Sequence, residues 1–87
     1  MIDTQKLIRK LDNLYGTGKG TEVCMTVLPS VLADFQKMLK ASPCGTPVTE
    51  EYRLEDGKGS LLLTGCRRPS GDTDIEADLI RRQGQGQ

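Results

Sequence analysis

The sequence predicts a small α+β domain in the order αβαββα, with a three-stranded, mainly antiparallel sheet packed with two to three helices. Three observations lead there. Apolar residues recur with helical spacing over 7–15 and 31–39, they alternate every second residue over 23–28 and 48–54, and an Asp-Gly pair stands between two apolar runs.

The first helix is expected from Asp3 to Tyr15, where Leu7, Ile8, Leu11, Leu14 and Tyr15 fall on one helical stripe. Asp3 or Thr4 suits its N-cap, and Gly16 suits a terminating position with positive φ. Gly16-Thr17-Gly18-Lys19-Gly20 then reads as a flexible turn. From Thr21, Val23, Met25 and Val27 alternate with Cys24, Thr26 and Leu28, which predicts a strand. Pro29 ends it, because proline cannot donate to a ladder but is at home in the first turn of a helix. Val31, Leu32, Phe35, Met38 and Leu39 extend that helix to about Lys40.

Two prolines and a glycine over 41–47 predict a loop. Val48, Tyr52 and Leu54 predict a strand, Glu55-Asp56-Gly57-Lys58-Gly59 a tight turn, and Ser60 to Cys66 the returning strand of a hairpin. Thr73-Asp74-Ile75-Glu76 has capping-box spacing, and with Ile75, Leu79 and Ile80 behind it predicts a short third helix. The expected organisation is one domain over 1–82 and a disordered tail over 83–87, which offers no apolar side chain to bury.

With 87 residues and 36% apolar content, the core is thin and mostly aliphatic. At ~0.05–0.15 kcal/mol per residue its stability is roughly 4–13 kcal/mol, which leaves little margin for strained or unpaired buried groups. Twelve basic and twelve acidic residues cancel, so no long-range field draws the chain to nucleic acid. No apolar run approaches the ~20 residues that span a bilayer, and the first residues lack the pattern of an export signal. The expectation is a cytoplasmic protein away from membranes, with Cys24, Cys44 and Cys66 as reduced thiols.

The residues argue against catalysis. Histidine is absent, which removes the commonest proton shuttle near neutral pH. Cys44, in a loop, is the most reactive thiol by position but has no general base in sequence reach. No Cys-x-x-Cys pair is present, so neither a metal nor another cofactor is expected. Gly18-Lys19-Gly20-Thr21 looks like the end of a nucleoside-monophosphate kinase phosphate loop. That loop needs a glycine where Asn13 stands, a strand before it and a helix after it, and the predicted elements run the other way. A looser anion-binding role for Lys19 stays open as an alternative.

What remains is surface. Leu61 and Leu63 point to one face of their strand and Leu62 to the other; Val23, Met25 and Val27 are predicted to oppose Cys24 and Leu28. Strands apolar on both sides need helices on both faces or a partner on one. The sequence therefore predicts a non-enzymatic protein-binding module, a stoichiometric regulator or inhibitor that docks on a larger protein or forms a homodimer. Small chains of this kind include accessory proteins of phages and mobile elements, an analogy of size alone. The candidate interaction surface comprises Lys6, Arg9, Lys10, Lys19, Tyr52, Leu62, Arg67 and Arg68. A nucleic-acid-binding accessory using the basic members is the less favoured alternative.

Overall fold

The computed structural model describes residues 2–54 and 58–81. Three helices, α1 (Thr4–Tyr15), α2 (Lys19–Thr26) and α3 (Leu28–Lys40), precede three strands, β1 (Val48–Arg53), β2 (Gly59–Arg67) and β3 (Thr73–Arg81). The α+β class and the three-stranded antiparallel sheet, in the order β1-β2-β3, are as the sequence predicts. The element order is not. All helices come first, because two segments exchange type.

The expected strand over 21–28 is α2 running into α3. Val23 and Val27 lie four residues apart, which suits a helix as well as alternation suits a strand. The test is Met25: it would share a strand face with Val23, yet Val23 is buried and Met25 is 73% exposed. Val27 both closes α2 and opens α3, with helical φ −90° and ψ −46°. Pro29 separates the two helices, since it has no amide hydrogen for the Met25 carbonyl.

The expected helix over 73–80 is β3. Ile75, Ala77 and Leu79 alternate inward and pair with Gly65, Leu63 and Leu61. Nine consecutive positions pair with β2 from Arg67↔Thr73 to Gly59↔Arg81. This ladder outweighs the local preference of a capping box with only one turn of apolar residues behind it.

The remaining elements follow the sequence closely. Asp3 caps α1 by accepting from the Lys6 amide at 3.1 Å, and Gly16 ends it with φ 115°. β1 and β2 form the expected hairpin, register Val48↔Gly65 to Arg53↔Ser60. Its Asp56-Gly57 turn and the expected tail over 83–87 lie outside the described residues.

One sheet face carries Val48, Glu50 and Tyr52 of β1, Leu61, Leu63 and Gly65 of β2, and Ile75, Ala77 and Leu79 of β3. The helices pack on this face. Leu7 and Leu11 of α1, Val23 of α2, and Leu28, Val31, Phe35 and Leu39 of α3 join Leu61, Leu63 and Ile75 in one buried cluster. Gly65 leaves room for α3: a Cβ there would sit 2.8 Å from the Phe35 ring and 3.0 Å from Leu39 Cδ1. The opposite face presents Thr49, Glu51, Leu62, Thr64, Glu76 and Asp78. Leu62 thus faces away from Leu61 and Leu63 as the sequence indicates. The other half of the two-sided argument falls, because Val23 to Leu28 is helical.

Candidate functional site

The glycine-rich segment determines what α2 can do. Gly18, at φ 94°, makes the left-handed turn that ends the α1–α2 connection and lets α2 start at Lys19. A helix therefore does follow Gly18-Lys19-Gly20, contrary to the predicted order, but a helix rather than a strand precedes it. The Gly20 amide at this N-terminus is already occupied. It donates to Asp12 Oδ1 at 2.7 Å, so α1 supplies the anion that the first turn of α2 attracts. Lys19 turns to Glu22 at 3.6 Å. The local chemistry that resembles a phosphate cradle is spent on joining two helices.

Gly20 also fixes how close they come. A Cβ on it would run into the Ile8 carbonyl oxygen and stand 2.7 Å from Ile8 Cα. With the backbones in contact, α2 is held across α1 and its far side is left beside the end of β1. There lies a groove of about 370 Å³, lined by Tyr15, Lys19, Glu22, Val23, Thr26, Val27, Arg53 and Leu54. Its floor is largely apolar and its rim carries both signs of charge. Met25, on the same helix but not among the residues that line the groove, is the one large hydrophobic exposed among the described residues.

A second depression, of about 320 Å³, lies where α1 flanks β3. Asp3 and Lys6 share it with Leu62, Thr64, Glu76, Ala77 and Asp78, and it is mostly polar. Lys10 Nζ donates to Asp78 Oδ1 at 2.6 Å beside it. That hydrogen bond is the main reason the Asp78 carboxyl titrates below the usual aspartate range; partial burial opposes the shift and the Leu79 amide adds to it. A lowered folded pKa favours the charged form in the native state. The stabilisation is therefore present above the unfolded value, ~3.9, and is lost as pH falls through the folded one. Both side chains are well exposed, at 39% and 53%, so it is worth only about 0.2–1 kcal/mol. Asp78→Asn is expected to lower the melting temperature slightly at pH 7, and the deficit to shrink progressively as the pH falls below the unfolded value, as thermal melts across that range will show.

The candidate surface residues do not form one patch. Lys6 and Leu62 meet in the second depression, with Lys10 at its edge. Arg9 is exposed on α1, and Lys19 belongs to the groove by α2. Arg68 pairs with Asp74 across the β2–β3 turn, its Nε 2.7 Å from Oδ2. Arg67 faces inward: Nε and Nη2 donate to the Ser42 carbonyl at 3.1 and 2.8 Å, just past the C-terminus of α3. Tyr52 lies on the helix-covered face with its hydroxyl buried. Burial, then the nearby Glu50 and Asp34 carboxylates, push its pKa up.

The sequence reading missed most of the groove: Tyr15, Glu22, Val23, Thr26, Val27, Arg53 and Leu54. The available signal was the spacing of Glu22, Val23, Thr26 and Val27, which repeats every three to four residues once 19–26 is read as helix. Among the described residues no group of three histidines, cysteines, aspartates or glutamates is placed to hold a metal ion. Cys44 is exposed and Cys24 partly buried, which pushes the Cys24 thiol pKa up and away from thiolate chemistry. No helix among the described residues is long and apolar enough to cross a membrane. Compared with known proteins, the chain significantly matches no family model, no curated protein and no solved structure.

Proposed function

We propose that this chain is a non-enzymatic protein-binding module, a small cytoplasmic regulator or inhibitor that acts by occupying a surface of a larger protein. The observation that supports this reading best is the largely apolar groove between α2 and β1, on the helix that also exposes Met25. A chain with so thin a core gains stability from every apolar side chain it buries, so an apolar groove left open to solvent on the helix that also exposes a methionine supports a docking surface there. The absence of histidine from the sequence and the spent N-terminus of α2 favour binding over catalysis. Three unpaired cysteines suit a reducing compartment. The comparison in size with regulators of phages and mobile elements remains an analogy.

Nucleic-acid binding has weaker support. Lys10, Lys19 and Arg68 each face a carboxylate of the same chain, and Arg67 is held by a backbone carbonyl. Phosphates would have to compete with those partners.

The test is affinity capture from the native cell with the parent chain and with Met25→Asp. One stoichiometric protein recovered by the parent and lost with the variant is the expected result. Nuclease-sensitive material alone, or equal recovery by both, would overturn the reading.

A further inference from the structure

We infer that the outer edge of β1 is a strand-addition site for an extended, basic segment of a partner protein, which joins the sheet antiparallel to β1 as a fourth strand. The inference rests on the reading of the chain as a protein-binding module. It names the partner's chemistry at a surface that meets the groove only at Arg53.

The two edges of the sheet, β1 and β3, differ. The Leu54 amide donates to the Gly59 carbonyl at 3.0 Å, and bonded pairs alternate along an antiparallel ladder. The backbones of Val48, Glu50 and Tyr52 are therefore turned to β2, and those of Thr49, Glu51 and Arg53 outward. The same alternation, carried across β2, turns Ile75, Ala77 and Leu79 of β3 outward. That edge is guarded. The Leu79 amide donates to Asp78 Oδ1 at 2.8 Å, the oxygen that also accepts from Lys10, and α1 packs against β3. β1 has no such guard: its main helix contact is with α3, and the amides of Thr49 and Arg53 have no acceptor among the described residues.

Charge selects the occupant. Glu50 is half-buried on the helix-covered face. After burial, it is Glu50 and Asp34 that push the Tyr52 pKa up, which places both carboxylates near that hydroxyl. Neither has a cation among the described residues. A carboxylate partly withdrawn from water without a counter-ion is stabilised by a lysine or arginine brought beside it. Every second side chain of an added strand lies on this face, so a basic residue opposite Glu50 is set beside both acids. A second copy fits badly. Two β1 strands can bond only through their outward positions 49, 51 and 53, which puts Glu50 and Asp34 of both copies on one face about the axis, where like charges oppose the contact. The acids that bar self-pairing admit a basic strand.

The experiment titrates the full chain into a labelled peptide of alternating lysine and valine, as long as β1, and reads fluorescence anisotropy at low salt. Binding is expected, and is expected to be lost when glutamate replaces the lysines. With the lysines opposite Glu50, the valine amides face β1, so N-methylation of the valines is expected to abolish binding and N-methylation of the lysines to leave it. Glu50→Lys is expected to weaken binding about fivefold. Thr49→Pro removes an outward amide without touching the ladder to β2 and is expected to weaken it as well. Thermal melts by circular dichroism confirm that each variant is folded. No binding, equal binding of the glutamate peptide, equal effects of the two methylations, or a parent that sediments as a dimer broken by Thr49→Pro would overturn the site. Capture of one cellular protein that is lost with Met25→Asp and kept with Glu50→Lys would sink the strand site and leave the module reading intact. Peptide binding at the edge by a chain that captures no protein would do the reverse.

Discussion

Phe35→Ala is expected to lower the unfolding free energy by about 3–5 kcal/mol, a large part of the stability a chain of this length possesses. Phe35 is fully buried and is the only phenylalanine in the chain. Its ring lies on Gly65 of the central strand, the position where α3 meets the sheet. The site is poorly placed to collapse around a smaller residue. Leu28 and Val31 anchor α3 on one side of Phe35, Leu39 on the other, and Arg67 grips the carbonyl just beyond the helix. The cavity term therefore adds to the lost transfer energy. Urea denaturation followed by circular dichroism measures the loss as a lower midpoint at unchanged slope. The packing also predicts a coupling. Gly65→Ala is harmful beside Phe35 and less so beside Phe35→Leu, so the two changes should be non-additive in a double-mutant cycle.

Gly20→Ala is the second large effect, and its sign carries the information. In an ordinary exposed helix, alanine in place of glycine gains about 1 kcal/mol. Here the added Cβ meets the Ile8 carbonyl oxygen, with Ile8 Cα at 2.7 Å and Asp12 Oδ1 at 2.9 Å. Two of those atoms are backbone and cannot swing aside, so α2 must move off α1. That movement also stretches the bond from the Gly20 amide to Asp12. The expected outcome is a net destabilisation of about 2–4 kcal/mol, read by the same denaturation curves. A gain in stability would show that the helices do not touch where the structure places them.

These two positions mark what the sequence could and could not reveal. Leu7, Leu11, Phe35 and Leu39 were legible because a long helix repeats its apolar stripe often enough to exclude a strand. Val48 to Cys66 was legible because alternation and an Asp-Gly pair agree. Val23 to Leu28 and Ile75 to Ile80 are too short for that. Over six residues, spacings of two and of three to four select nearly the same side chains, and tertiary pairing decides. For β3 the deciding partner is Leu61, Leu63 and Gly65 on the neighbouring strand; for α2 it is the backbone of Ile8 against Gly20. Neither contact is local in sequence. The groove was lost for the same reason: its residues converge only when 19–26 is helical. Arg67 and Tyr52 were read as surface because an arginine before a turn and a tyrosine between charged residues look exposed. Their burial comes from the 41–47 loop and from α3, which no spacing rule brings near them.

The segregation of helices and strands into the two halves of the chain has a consequence for the order in which the molecule assembles. Packing joins α1 to α2, α2 to α3, β1 to β2 and β2 to β3, each a neighbour in sequence, and each pair closes with a short connection and a small entropic cost. The main contacts between the halves are those of α3 with β1 and β2 and of α1 with β3, and the last of these links the first element to the final one. Such a chain is suited to form its helical half and its meander of strands early and separately, with Phe35 and Leu39 seating on Gly65 as the committing step. The closure of α1 against β3, with Lys10 on Asp78 at its edge, is then expected to come late in folding, and Asp78→Asn to change the unfolding rate more than the folding rate.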